Sequence, residues 1–92
     1  MKNKQIGPYQ IGSTYFIRTV THHFTGVLIK VFKQELVLKD AAWIADDGRF
    51  TPAVRDGSFN EVEPYPDGEV IIGRGSLIDA YAVKFNSPRT QK

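Results

Sequence analysis

The chain has no cysteine, one tryptophan and two histidines among its 92 residues. Without cysteine it can form neither a disulfide framework nor a thiolate zinc site, and it has no thiol nucleophile. Such a composition is typical of a protein in a reducing cytosol. The two histidines, His22 and His23, are adjacent and would point to opposite faces of a strand. They cannot chelate one metal together, so we expect no metal site and no cofactor.

Long apolar runs are also lacking. No stretch of the sequence approaches the roughly 20 apolar residues that a membrane helix needs. The polar, basic N-terminus, Met1 to Gln5, has no apolar stretch of the kind found in signal peptides. We therefore expect no membrane partner.

Net charge is small and unevenly distributed. The formal charge is +2 overall, but residues 1–39 carry +5, residues 40–79 carry −6 and residues 80–92 carry +3. A total of +2 is too little to track a nucleic-acid duplex, which needs several phosphate contacts. A small anionic ligand is not excluded, because a pocket needs only two or three well-placed cations.

The length allows one small domain. A chain of this size buries roughly 60–65% of the surface that its unfolded form exposes, so a lone core is marginal. Burial between subunits would add stability, and we expect a homo-oligomer. We divide the chain into an N-terminal arm (1–12), one domain (13–85) with an insertion at 46–67, and a flexible C-terminal tail (86–92).

The composition favours strands. Val, Ile, Phe, Tyr, Trp and Thr number 33, against 11 for Ala, Leu and Met. Alternation over 13–20 predicts a strand exposed on one face, and Gly26 inside the apolar segment 24–32 predicts a bend in the next. Thr51, Pro52 and Gly57 predict one helical turn, with Thr51 as N-cap and Gly57 as its stop. We therefore predict a mostly β domain, a small five-stranded SH3-like or Sm-like barrel with one short helical insertion.

Two segments resemble Sm-type signatures. Residues 24–28 with 35–41 are similar to the first, in which a glycine bends one strand and an aliphatic strand ends in an acidic residue. Residues 70–78 are similar to the second, in which aliphatic residues enter and leave an Arg-Gly turn. Glu35 stands where that pattern has Asn. The resemblance implies a barrel with nucleotide-binding loops.

A second resemblance spans most of the domain. The strings His22-His23-Phe24-Thr25-Gly26, Asp40 to Phe50, Glu61 to Gly68 and Ile72-Gly73-Arg74-Gly75 resemble a family of small proteins encoded by tailed phages and prophages. That family is connected to phage sponge proteins that sequester cyclic-nucleotide signals of bacterial anti-phage immunity. The resemblance implies a tetramer in the host bacterial cytoplasm.

Arg74 is the first candidate for binding a ligand. It lies between Gly73 and Gly75, where backbone can approach a ligand closely and a guanidinium can pair with phosphate oxygens. The segment has no third glycine and no following helix, which excludes a dinucleotide-binding fingerprint.

Aromatic residues around position 43 are the second group of candidates. Trp43 either fills the core or stacks on a base, and Phe50 and Tyr65 compete for the stacking role. His22 either is an exposed histidine or contacts the ligand. Arg49 either pairs with a carboxylate or binds a phosphate. The candidate ligand-binding residues are Arg74, Trp43, Arg49, Phe50, His22, Gly75 and Tyr65.

We recognise no catalytic arrangement in the sequence. The serines have no nucleophile-elbow context, and the acidic residues fall in turn-forming segments. We therefore expect a binding protein and not an enzyme, one that captures a small anionic nucleotide, a cyclic dinucleotide above all. The alternative is an Sm-like or SH3-like interaction module for host protein or single-stranded RNA, and a phosphodiesterase-like enzyme ranks third.

Overall fold

The computed structural model describes residues 4–92. Within these residues eight strands, one α-helix and one 3₁₀ turn follow one another. Strands make up 52% of the structure and helical residues 11%, which confirms the predicted mostly β domain with one short helix. The elements are β1 (Gln5–Ile6), β2 (Tyr9–Gln10), β3 (Thr14–Thr19), β4 (His23–Val31), β5 (Glu35–Asp46), α1 (Phe50–Asp56), β6 (Glu61–Pro64), β7 (Glu69–Gly73), the 3₁₀ turn (Arg74–Ser76) and β8 (Leu77–Ala82).

The main sheet is antiparallel, in the order β6-β5-β4-β3-β8, and β7 also pairs with β5. The first half of β5, residues 35–39, pairs with β7, and residues 42–46 pair with β6. β5 is therefore one long strand that changes its pairing partner along its length. The sheets do not close into a barrel of hydrogen-bonded strands.

The glycine predicted to bend a strand lies at a break in register. On β4, Thr25 and Val27 are two residues apart in sequence, but their partners on β5, Ala42 and Lys39, are three residues apart. β5 therefore contains one extra residue at this point. Asp40, inside the longer stretch, has a left-handed φ of 50°. A Cβ on Gly26 would lie 3.0 Å from the Leu38 side chain, so the two strands approach too closely for a larger residue. The extra residue places Trp43 opposite Phe24; a shift of one residue would reverse its face.

Both faces of β3 are covered. Tyr15, Phe16 and Ile17 are consecutive on β3, and each is buried. Tyr15 and Ile17 belong to one apolar cluster, and Phe16 belongs to a second. The prediction of a strand exposed on one face is wrong, because the insertion supplies Ala53 and Phe59 to the second cluster. The insertion is thus part of the core.

Helix α1 begins earlier than predicted. Its N-cap is Arg49 and not Thr51, and no side chain caps it. Gly57 ends the helix in the left-handed conformation with φ of 73°, as predicted.

The N-terminal segment, where we predicted an irregular arm, contains the β1–β2 hairpin. Tyr9 and Ile11 pack against the first apolar cluster, and the Gln10 N–H donates to the Tyr15 hydroxyl at 2.9 Å. Residues 1–3 lie outside the described residues. The spacing of these apolar residues is too irregular to reveal a strand from the sequence.

The C-terminal segment, where we predicted a frayed tail, is bonded to the sheet. Ser87 is buried, and its hydroxyl lies 2.9 Å from that of Thr25. Lys92 and Val62 exchange two backbone hydrogen bonds of 2.9 Å. The polar composition of residues 86–92 hid these contacts, because they use a small hydroxyl and main-chain groups.

Replacing Gly26 tests the close approach of β4 and β5. We expect Gly26→Ala to lower the free energy of unfolding by about 1–3 kcal/mol, because the added Cβ overpacks against Leu38. Urea denaturation measures the change. Gly75→Ala is the matched control, since a Cβ there meets nothing within 4 Å. Equal stability of the two variants would contradict this account of the bend.

Candidate functional site

Four aromatic rings form a continuous group, which we call the aromatic surface: His22, Phe24, Trp43 and Tyr65. The His22 ring centroid lies 6.1 Å from those of Phe24 and Trp43, and Phe24 lies 6.3 Å from Tyr65. His22 and Phe24 are two positions apart and share a face, and Trp43 is the direct partner of Phe24. Strand pairing therefore brings together three of the predicted site residues: His22, Trp43 and Tyr65.

Two shallow cavities flank the His22–Trp43 pair, and both rings line each cavity. The first, which we call the proline-side cavity, measures about 310 Å³. The second, the histidine-side cavity, measures about 410 Å³. The proline-side cavity is also lined by Glu63, Pro64, Tyr65 and Pro66, and the histidine-side cavity by Thr21, His23, Ile44, Ala45, Asp46, Asp47 and Gly48.

Trp43 is 37% exposed and belongs to neither buried cluster. One part of its ring is covered by protein, and the rest faces the cavities. Part of the Trp43 indole ring is therefore accessible to a ligand, while the rest is packed against neighbouring residues.

Tyr65 is fixed by hydrogen bonds to the irregular stretch of β5. Its N–H donates to the Ala41 carbonyl at 2.9 Å. Arg89 donates from Nη1 to that same carbonyl and from Nη2 to the Tyr65 carbonyl, each at 2.9 Å. One guanidinium from the C-terminal segment thus connects β5 to the loop that carries Tyr65.

The two histidines have different environments, as their adjacency predicted. His22 is exposed, and its Nδ1 lies 2.7 Å from the Thr21 hydroxyl. His23 is half-buried against Phe16, and its Nδ1 lies 2.7 Å from an Asp47 carboxylate oxygen. This second contact holds the 46–48 turn against the start of β4 and shapes the wall of the histidine-side cavity.

Arg49 and Phe50 lie outside the aromatic surface. They line a separate cavity of about 520 Å³ with Gly48, Thr51 and Pro52. The Phe50 ring is 53% exposed and lies 5.3 Å from the Arg18 guanidinium. Their closeness in sequence to Trp43 does not place them beside it, because β5 ends at Asp46 and the chain then turns into α1.

Arg74 and Gly75 lie in the 3₁₀ turn and line neither flanking cavity. Arg74 donates from Nη1 to the Phe32 carbonyl at 2.7 Å, and its guanidinium lies 5.4 Å from the Tyr9 ring centroid. A Cβ on Gly75 would meet no atom within 4 Å, so no close approach within the chain requires this glycine.

The ionisable groups that line the two flanking cavities are carboxylates, imidazoles and the Tyr65 phenol. Asp46 and Asp47 line one cavity, Glu63 lines the other, and no lysine or arginine among residues 4–92 lines either. The cavities thus combine aromatic stacking surfaces with hydrogen-bond acceptors. A phosphate group bound there would need cations from elsewhere.

Sequence reasoning missed Glu63, Asp47 and Arg89. Glu63 and Asp47 sit in turn-forming, acid-rich segments that predict solvated loops. Arg89 lies 48 residues from Ala41, and no local pattern predicts that contact. The signal that could have found Glu63 is strand pairing, since it lies directly opposite Trp43.

Comparisons of the chain with protein-family models, with curated proteins and with solved structures returned no match. No helix in residues 4–92 is long and apolar enough to cross a membrane. Within the same residues, no three His, Asp or Glu side chains are grouped closely enough to hold a metal ion.

The Arg18–Asp79 ion pair joins β3 to β8 beside Phe50. Arg18 Nε donates to Asp79 Oδ1 at 2.8 Å, and Nη2 donates to Oδ2. The hydrogen bond from Arg18 lowers the pKa of the Asp79 carboxyl below its ordinary value. The charged carboxylate therefore stabilises the folded state above the ordinary Asp pKa of about 3.9, and this contribution is lost as pH falls through the lower folded-state value.

We expect Asp79→Asn to be less stable than the natural chain at about pH 7 and the difference to be smaller at about pH 2, because the stability conferred by a carboxyl of lowered pKa declines as pH falls below the ordinary Asp value. Urea denaturation at both pH values gives the two differences. Asp67→Asn, in an exposed loop, serves as the control for loss of one negative charge. A difference for Asp79→Asn that persists unchanged at low pH would show that the ion pair is not its cause.

Proposed function

We propose that this chain is a non-enzymatic binding protein that captures a small cyclic di- or oligonucleotide by stacking a base on the aromatic surface. The observation that carries the proposal is the partly exposed Trp43 ring with a cavity on each side, both shared with His22. Stacking on an aromatic side chain contributes about 1–3 kcal/mol per base. Tyr65, fixed by Arg89, closes the end of the proline-side cavity.

The phosphates are held by cations outside these cavities. Arg74 keeps free donors, because a guanidinium has five N–H groups and, among residues 4–92, only Nη1 donates a hydrogen bond, to the Phe32 carbonyl. In a homo-oligomer, with a tetramer favoured, Arg74 and Arg49 of a neighbouring copy supply the positive charge. A ligand with its own two-fold symmetry suits a site built from two identical chains.

The architecture proposed for this domain is an SH3-like or Sm-like small barrel. Support comes from the 3₁₀ turn, which is hydrogen-bonded to the connections that precede and follow β4. The Arg74 N–H donates to the Gln34 carbonyl at 2.8 Å, and the Val20 N–H donates to the Ser76 carbonyl at 2.9 Å. These bonds connect the β3–β4 and β4–β5 connections through one short segment.

The biological role follows from the phage-family resemblance. A phage-encoded sponge in the host bacterial cytoplasm would sequester the cyclic-nucleotide signal of anti-phage defence without cleaving it. Sequestration requires tight binding and release of the unchanged nucleotide when the protein is denatured.

A second candidate is an interaction module that binds host protein or single-stranded RNA. The acidic lining of both cavities favours a protein segment with a positive charge over RNA. Binding of such a partner, with no binding of small nucleotides, would replace the first proposal.

Isothermal titration with a panel of cyclic dinucleotides tests the proposal. We expect one or more to bind the natural chain, and Trp43→Ala to weaken binding by about 1–3 kcal/mol, or about 5- to 150-fold. Tyr81→Ala is the control, because it removes an exposed ring that lines neither flanking cavity. The proposal fails if no nucleotide gives heat with the natural chain, or if both variants bind equally.

A further inference from the structure

The proline-side cavity places a carboxylate beside the stacking ring. Glu63 and Trp43 are direct partners in the β5–β6 pairing, and both line the cavity with Tyr65. Directly opposed residues on an antiparallel pair have Cβ atoms about 4.5–5.5 Å apart. A planar ring stacked on Trp43 therefore presents an edge within reach of the Glu63 carboxylate.

We propose that the base bound in the proline-side cavity is guanine and that Glu63 determines this specificity. The inference rests on the proposed function and identifies the class of nucleotide that the site selects. A carboxylate only accepts hydrogen bonds, and it accepts two parallel ones well. On its Watson–Crick edge guanine presents two adjacent donors, N1–H and the 2-amino group.

The other bases do not match a carboxylate in this way. Adenine and cytosine each place a ring nitrogen acceptor beside their amino donor, and uracil places carbonyl oxygens on both sides of its one N–H. Each would bring a lone pair against a carboxylate oxygen. Guanine alone forms two bonds with no such repulsion, and hydrogen bonds to a charged acceptor are about twice as strong as neutral ones.

Glu63 is held in position yet keeps capacity for a ligand. Gln91 Nε2 donates to Glu63 Oε2 at 2.7 Å, which orients the carboxylate. The two backbone bonds between Lys92 and Val62 hold the C-terminal segment, and with it Gln91, beside β6. Two carboxylate oxygens offer about four lone-pair sites, so one bond from Gln91 leaves room for two from a base.

The charge of Glu63 is not matched by a cation within the part of the chain that the structure describes. Among residues 4–92 no lysine or arginine forms an ion pair with it. The cavity volume of about 310 Å³ is at the low end of ligand pockets, which suits one base and not a whole dinucleotide. A carboxylate at the base edge also directs the phosphates away from the cavity through charge repulsion, consistent with cations placed elsewhere.

Titration calorimetry with three probes tests the inference: cyclic di-GMP, cyclic di-AMP and the inosine analogue, which lacks only the 2-amino group. We expect the natural chain to bind the guanine probe at least about tenfold more tightly than the adenine probe, with the inosine probe between them. This ranking needs no variant.

Glu63→Gln should weaken binding of the guanine probe by about tenfold or more and leave the adenine probe within about twofold. Glu61→Gln is the matched control, since it removes the same charge from the same exposed strand outside the cavity. Circular dichroism checks that both variants are folded.

Two outcomes separate the two proposals. If the natural chain binds the three probes equally, or if Glu63→Gln weakens all of them alike, the guanine inference is wrong while nucleotide binding remains. If the natural chain binds none of them, nor any other cyclic dinucleotide, the proposed function is wrong and the inference with it.

Discussion

The close approach of β4 to β5 at Gly26 is the constraint on which the rest of the structure depends. The two strands lie so near that a Cβ would be 3.0 Å from Leu38 and 3.3 Å from the Ala41 backbone. The extra residue in β5 beside this contact changes the strand's partner from β7 to β6 and places Trp43 opposite Phe24. The same irregular stretch presents the Ala41 carbonyl, which accepts hydrogen bonds from Tyr65 and Arg89. The bend in β4, the aromatic surface and the position of the loop that carries Tyr65 thus all depend on this irregular stretch of β5.

The features that could be predicted from the sequence are those that depend on residues close together in the chain. The strands around 14–19 and 24–31, the bend at Gly26 and the helix stop at Gly57 follow from alternation and backbone preference. Contacts between distant residues are not predictable in this way. Arg89 and Ser87 come from a segment whose polar composition is typical of a free tail, yet one bonds to the Ala41 carbonyl and the other lies buried against Thr25. The burial of both faces of β3 could not be predicted from the sequence, because it depends on the insertion folding back over Phe16.

For the candidate site, sequence reasoning found three rings that lie together, His22, Trp43 and Tyr65, but grouped them with cations that lie elsewhere. Arg74 belongs to the 3₁₀ turn, where Phe32 and Tyr9 hold its guanidinium. The charged groups beside the aromatic surface are carboxylates, Glu63 among them. The proposed function therefore assigns base recognition to one subunit and phosphate binding to cations of a neighbouring copy. In the proposed homo-oligomer, the chain's alternating basic and acidic segments would attract one another between neighbouring copies.

The proposed function depends on a nucleotide base stacking on Trp43. Because the chain has one tryptophan, its indole N–H gives a single signal in a nitrogen–proton correlation spectrum, and that signal needs no assignment by mutation. Titration with cyclic di-GMP should shift this signal strongly, together with the backbone amides of Glu63 and Tyr65, through the ring current of the stacked base. A spectrum in which the indole signal stays unchanged while the amides of Arg74 and Gly75 shift would contradict the account and place the binding site at the 3₁₀ turn.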